Sequence, residues 1–153
     1  MYRVEDVVRY FLSKAEMSPK KLQKLLYYAY GWTLALLNES ADDIQNRLFS
    51  DKFKAWIHGP VIPYIYAKYK EYGWQLIPMV DDFDETVFSP DVLDILNQVW
   101  DVYGSYTGND LETISHREEP WIKARGNTPA YEACSNELSD KDIFDYFNSQ
   151  AAS

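Results

Sequence analysis

The stretch Ala55-Trp56-Ile57-His58-Gly59-Pro60-Val61-Ile62-Pro63-Tyr64-Ile65-Tyr66 constrains this chain more than any other. Gly59 admits backbone angles that other residues resist, and Pro60 fixes its own φ while biasing His58-Gly59 away from helix. Proline fits the first helical turn, where its missing N–H costs nothing, so a helix can start at Pro60 or Pro63. The tract predicts a fixed corner between two apolar segments. It does not have the look of an active site.

Around that corner the sequence predicts helices. Val4, Val7, Val8, Phe11, Leu12 and Ala15 recur at helical spacing and give an amphipathic first helix. Ser18-Pro19 signals a second start, with Ser18 as N-cap and Pro19 in the first turn. Leu22, Leu25, Leu26, Ala29, Thr33, Leu36 and Leu37 then line one face, while Tyr27, Tyr28, Tyr30 and Trp32 occupy others. A helix apolar on so much of its circumference belongs at the centre of a fold. Residues 38–54 read as a polar loop with a short helical or extended piece near Leu48-Phe49. A helix over about 61–72 ends at Gly73. Trp74–Val80 is expected to be extended and to pair with residues 53–57, and Asp81–Glu85 to be an exposed acidic connector.

Ser89-Pro90 repeats the start signal, and Val92, Leu93, Leu96, Val99, Trp100 and Tyr103 form a stripe that ends at Gly104. Thr107-Gly108-Asn109-Asp110 is a capped start. Ser115–Trp121 makes a second turn-to-helix corner, residues 126–138 form a loop, and a last helix from Ser139 buries Ile143, Phe144 and Phe147. Ser149–Ser153 are expected to be loose. The fold class is mainly α, one compact helical domain over residues 1–153 with at most a short β-hairpin.

Composition bounds the chemistry. The 25 aromatic rings (13 Tyr, 7 Phe, 5 Trp) in 153 residues rule out a disordered chain. Most are expected to fill the core, and the rest to face a partner. The net charge of −9 is uneven: residues 1–80 balance at +3 and residues 81–153 at −12. An acidic chain argues against general nucleic-acid binding and suits a basic partner. Lys14, Lys20, Lys21 and Lys24 form one basic patch, read as a solvated helix edge. The alternative is a DNA-binding autoregulator working through Lys20, Lys21 and Lys24. Cys134 is the only cysteine, so no intrachain disulfide forms and a structural zinc site has too few thiolates. The acidic N-terminus lacks the pattern of a signal peptide, and no apolar run is long enough to span a bilayer. The expected location is the cytoplasm.

No catalytic constellation emerges. His58 and His116 are the only histidines, and neither has ligand-spaced neighbours, so no metal or cofactor is expected. Ser115 and His116 are adjacent, which does not bring nucleophile and base together, and no Gly-x-Ser-x-Gly or phosphate-binding loop is present. The enzymatic alternative is a small hydrolase using His116 with Glu118 or Glu119. Each histidine is expected to hold its own corner by hydrogen bonds. Alternatively, the two corners come together as a ligand or partner groove.

Three blocks carry a resemblance. They are Lys21-Leu22-Gln23-Lys24-Leu25-Leu26-Tyr27-Tyr28-Ala29-Tyr30-Gly31-Trp32, then Phe49 through Trp56-Ile57-His58-Gly59-Pro60 to Tyr66, and Leu111-Glu112-Thr113-Ile114-Ser115-His116-Arg117-Glu118-Glu119-Pro120-Trp121. In order and spacing they resemble the Panacea domain family, which includes SocA-like antitoxins and phage-associated GepA-like proteins. The likeness runs from about residue 18 to about residue 125. Ser115 stands where threonine would be expected, a conservative departure. The resemblance implies a non-enzymatic antitoxin that neutralises a co-encoded toxin by binding it, with some relatives delivering the toxin to a cellular protease instead. It also implies that residues 1–17 and 126–153, outside the shared domain, contribute to partner choice. Within the blocks, Lys21, Gln23, Lys24, Tyr27, Tyr28, Trp32, Trp56, His58, Gly59, Pro60, His116, Pro120 and Trp121 are the motif positions, structural or partner-binding. Trp32, Trp56 and Trp121 are expected as core anchors. The −12 balance of residues 81–153 suits masking of a basic toxin surface.

Overall fold

The computed structural model describes residues 1–151. Helices α1 (Val4–Lys14) and α2 (Pro19–Leu37) lead into a two-stranded antiparallel hairpin, β1 (Lys54–Trp56) and β2 (Gly59–Val61). Helices α3 (Pro63–Tyr69), α4 (Pro90–Tyr103), α5 (Gly108–Ser115), α6 (Glu119–Arg125) and α7 (Asp140–Ala151) follow, so the fold is mainly α. No described helix is long and apolar enough to cross a membrane.

The start signals work as physical chemistry dictates. Ser18, Ser89 and Thr107 each accept a hydrogen bond from a backbone N–H of the first turn, at 3.2, 3.4 and 3.0 Å. Thr107 and Asp110 complete a reciprocal capping box. Helix α2 is buried on nearly every side from Leu22 to Ala35 and packs against α1, α4, α5 and α7. Its rings make the interior largely aromatic: Tyr27 meets Tyr28, Phe53 and Phe147 edge-on, and Tyr28 stacks on Tyr103 at 4.0 Å. The closest approach is at Gly31, where a Cβ would lie 2.1 Å from Phe147 of α7. Tyr10 of α1 donates to Asn97 of α4, tying the outer helices together.

The hairpin pairs Lys54 with Val61, Ala55 with Pro60 and Trp56 with Gly59. A strand pair this short is not stable alone. Its outer edge is covered by the chain before α7, where Ala55 N–H donates to Asn136 O at 2.9 Å and Leu138 N–H to Phe53 O at 2.9 Å.

Several expectations need correction. The helix expected from residue 61 begins at Pro63, because Pro60 and Val61 belong to β2, and its last turn tightens into a 3₁₀ turn (Lys70–Tyr72) before Gly73 at φ +60°. Trp74–Val80 does not pair with residues 53–57, whose edge is already taken; Ile77 instead exchanges hydrogen bonds with Met17, and Val80 N–H donates to Leu12 O. Trp32 and Trp56 are half-buried at the rim, and of the three tryptophans only Trp121 is buried. Ser149–Ala151 continue α7 instead of fraying, while residues 152 and 153 lie outside the described residues.

Gly31→Ala gains about 1 kcal/mol of helix propensity but forces Phe147 out of contact with α2. Overpacking of this kind costs about 1–3 kcal/mol. Urea unfolding is expected to show a net loss of stability; alanine at Gly73 meets no neighbouring atom, so its cost comes from the backbone φ of +60° alone.

Candidate functional site

The three sequence blocks converge on the corner at Gly59. Its φ of +107° belongs to the region where side chains are disfavoured, and a Cβ there would lie 2.7 Å from Lys24 Cε and 3.0 Å from Ser115 Oγ. Glycine is therefore required twice, by the backbone and by α2 and α5 pressing against it.

Helix α2 reaches the corner with polar side chains that run inward. Gln23 clamps the end of β2: its Oε1 accepts from Ile62 N–H at 2.9 Å, and its Nε2 donates to Ile62 O at 3.1 Å. Lys24, only 1% exposed, donates from Nζ to Pro60 O at 3.1 Å. Burial pulls its ammonium down to about 7, against the favourable field of Glu112. Lys21 donates to Gly104 O at 2.6 Å, and its ammonium lies over the Trp100 ring. Lys20 pairs with Glu112 at 2.6 Å. The expected solvated basic edge is corrected at Lys24, which alone of the four lysines is buried, and at Lys20 and Lys21, which are half-exposed but engaged by Glu112 and Gly104 O. Lys14 lies exposed over Tyr10.

Helix α5 supplies Glu112, which bridges Lys20 and, at 3.1 Å, His58 Nδ1. Burial pushes its carboxyl up, but the hydrogen bonds from Lys20 and His58 outweigh this and hold it below the ordinary carboxylate range. His58 stands out from the hairpin tip, its side chain two-thirds exposed. His116, at the end of α5, stacks on Trp121 at 4.1 Å, and burial lowers its pKa. Its Nε2 is buried without a hydrogen-bond partner. Pro120 occupies the first turn of α6, and Trp121 Nε1 donates to Trp56 O at 2.8 Å. The two histidine corners thus come together on either side of the hairpin tip.

Glu118 faces elsewhere. Its carboxylate accepts from Tyr28 and Tyr146, each at 3.2 Å, and Tyr27 Oη is buried beside it without hydrogen-bond geometry. Burial raises its carboxyl to about 7, although the tyrosine hydroxyls pull the other way. Glu119 is exposed at the start of α6. Among the described residues no hydrogen bond joins His116 to either glutamate, and no group of three or more His, Cys, Asp or Glu side chains is placed to hold a metal ion.

One contributor had no signal in the sequence. Arg125, 3% exposed, donates to Ala55 O at 2.9 Å, Pro129 O at 2.6 Å and Glu132 O at 2.5 Å, and lies over Trp121. Nothing in the residues around position 125 distinguishes a buried arginine from a solvated last-turn cation.

A family model for the SocA-like antitoxin, Panacea domain, matches residues 22–122. The chain belongs to this family. An antitoxin-like role follows from that membership. No curated protein and no solved structure matches the chain. The matched segment takes in Gln23, Lys24, the hairpin, Glu112, His116 and Trp121, and stops three residues before Arg125.

Two outcomes follow. Because Glu118 titrates near 7 when folded and at its ordinary 4.5 when unfolded, the folded state holds the extra proton between these values. Stability should fall as pH rises from about 4.5 to about 7, by about 3 kcal/mol, and Glu118→Gln should remove that slope in urea titrations. His116→Ala should lower the urea midpoint by removing the Trp121 stack, whereas exposed His58→Ala should stay within about 0.5 kcal/mol of the parent. Loss of partner binding by folded His58→Ala would mark the corner as a binding groove.

Proposed function

We propose that this protein neutralises a co-encoded toxin by binding it directly in the cytoplasm, without catalysis, as one domain spanning residues 1–153. The observation that carries the reading is membership of the SocA-like antitoxin family over residues 22–122. The use of the motif side chains supports it. Lys21, Gln23, Lys24 and Trp121 are engaged with neighbouring elements, as befits a scaffold that presents a surface. In this reading the motif positions Lys21, Gln23, Lys24, Tyr27, Tyr28, Gly59, Pro60, His116, Pro120 and Trp121 hold the scaffold. Trp32, Trp56 and His58 lie nearer the surface.

The acidic balance of residues 81–153 favours a basic toxin, with fast and salt-sensitive association. Direct blocking leaves the toxin intact, whereas delivery to a protease removes it.

Co-expression with the product of the neighbouring gene tests the reading. Growth should fail with the neighbour alone and recover with both, the two chains should co-purify, and the toxin should persist at an unchanged level. A harmless neighbour that does not associate would overturn the reading. A toxin that disappears only when this chain and an intact cellular protease are present would replace blocking with delivery.

A further inference from the structure

Helices α2 and α4 leave an apolar groove open between them. Trp32 and Leu36 form one wall, Ile95, Val99 and Val102 form the other, and the volume is about 250 Å³. Leu36 is 47% and Val102 58% exposed, although both belong to stripes that are otherwise buried. At the far end the groove runs toward a second hollow of about 470 Å³, lined in part by Thr33, Leu37, Asp91 and Val92 of the same two helices.

The charge beside this groove has one sign. Asp91, Asp94, Gln98 and Asp101 recur at i, i+3, i+7 and i+10, one stripe along α4 next to the apolar stripe of Ile95, Val99 and Val102. The three aspartates are exposed, and among the described residues none forms an ion pair. Helix α4 carries no Lys or Arg, and α2 has no charged residue from Gly31 to Leu37. The cations at either end are engaged: Lys21 at Gly104 O, and Arg47 at Asp140 at 2.8 Å.

We infer that the α2–α4 groove is the docking site for an amphipathic basic helix of the partner toxin. The inference rests on the toxin-binding reading above. From Asp91 to Tyr103 the groove wall is about 18 Å long, the length of about 12 helical residues. An incoming helix with apolar residues at i, i+3 or i+4, and i+7 fills the space between Leu36 and Val102. Lys or Arg on its flank meets Asp94 and Asp101. The apolar contacts hold the complex, and the aspartate stripe accelerates and orients its formation.

The test uses the full chain and the neighbouring gene product, with affinity measured at two salt concentrations and growth rescue scored in parallel. Val102→Asp, at an exposed position, should keep its helical circular dichroism and weaken binding at least tenfold. The double variant D94K/D101K should slow association and abolish its salt dependence. Trp74→Asp, on the 86% exposed ring of another face, should bind as the parent does. Parent rescue with unchanged affinity in both groove variants overturns the inference and leaves the antitoxin reading standing. Failure of the parent to bind or rescue overturns both. A parent that is dimeric alone and monomeric as Val102→Asp assigns the groove to a second copy of this chain, which also overturns the inference.

Discussion

A lysine ammonium does not enter a protein interior without a partner, because removing it from water costs several kcal/mol. Helix α2 nevertheless carries Lys24 inward to the carbonyl of Pro60, and the rest of the corner is arranged around that contact. Pro60 cannot donate a backbone hydrogen bond, so the carbonyl is its one polar backbone group, and Lys24 takes it. Gln23, one residue earlier, satisfies both polar groups of Ile62. Three-residue strands have too little pairing to persist alone, and here a helix supplies what a third strand would. With α2 in place, Gly59 has no room for a side chain, and α5 closes over it through Ser115 and Glu112.

Two buried ionisable groups therefore lie in different surroundings with different consequences. Lys24 has a carbonyl partner and the field of Glu112, and serves to position the hairpin. Glu118 sits among tyrosine hydroxyls from α2 and α7 and links the helix at the centre to the one that covers it. Neither belongs to a nucleophile–base pair. Both lie within the residues shared with the family, whereas Arg125 and the whole of α7, which help to hold those residues, lie beyond them.

What the sequence made legible was what local physics decides. Ser18-Pro19, Ser89-Pro90 and Thr107–Asp110 announce helix starts because capping needs only residues three apart. Gly59-Pro60 announced a corner for the same reason. The direction of a long side chain is a tertiary fact: Lys20, Lys21 and Lys24 read as one solvated edge, but neighbouring elements supply acceptors that a helical wheel does not contain. The pairing of Ile77 with Met17 instead of β1 was likewise decided by the return of residues 136–138, which occupy the edge of β1. Pro60 looked like a helix start and became a strand residue, since Pro63 served the helix equally well.

Helix α7 meets the centre from far away in the chain: Tyr30 bonds Asp140 across 110 positions, and Phe147 fills the space opened by Gly31. Contacts of such separation form late, because the intervening loop must first be closed. During synthesis the faces of Tyr27, Tyr28 and Trp32 emerge long before their cover does. The aromatic interior is therefore complete only once the C-terminal helix is in place, because Phe147 supplies the ring that Tyr27, Tyr28 and Trp32 all meet.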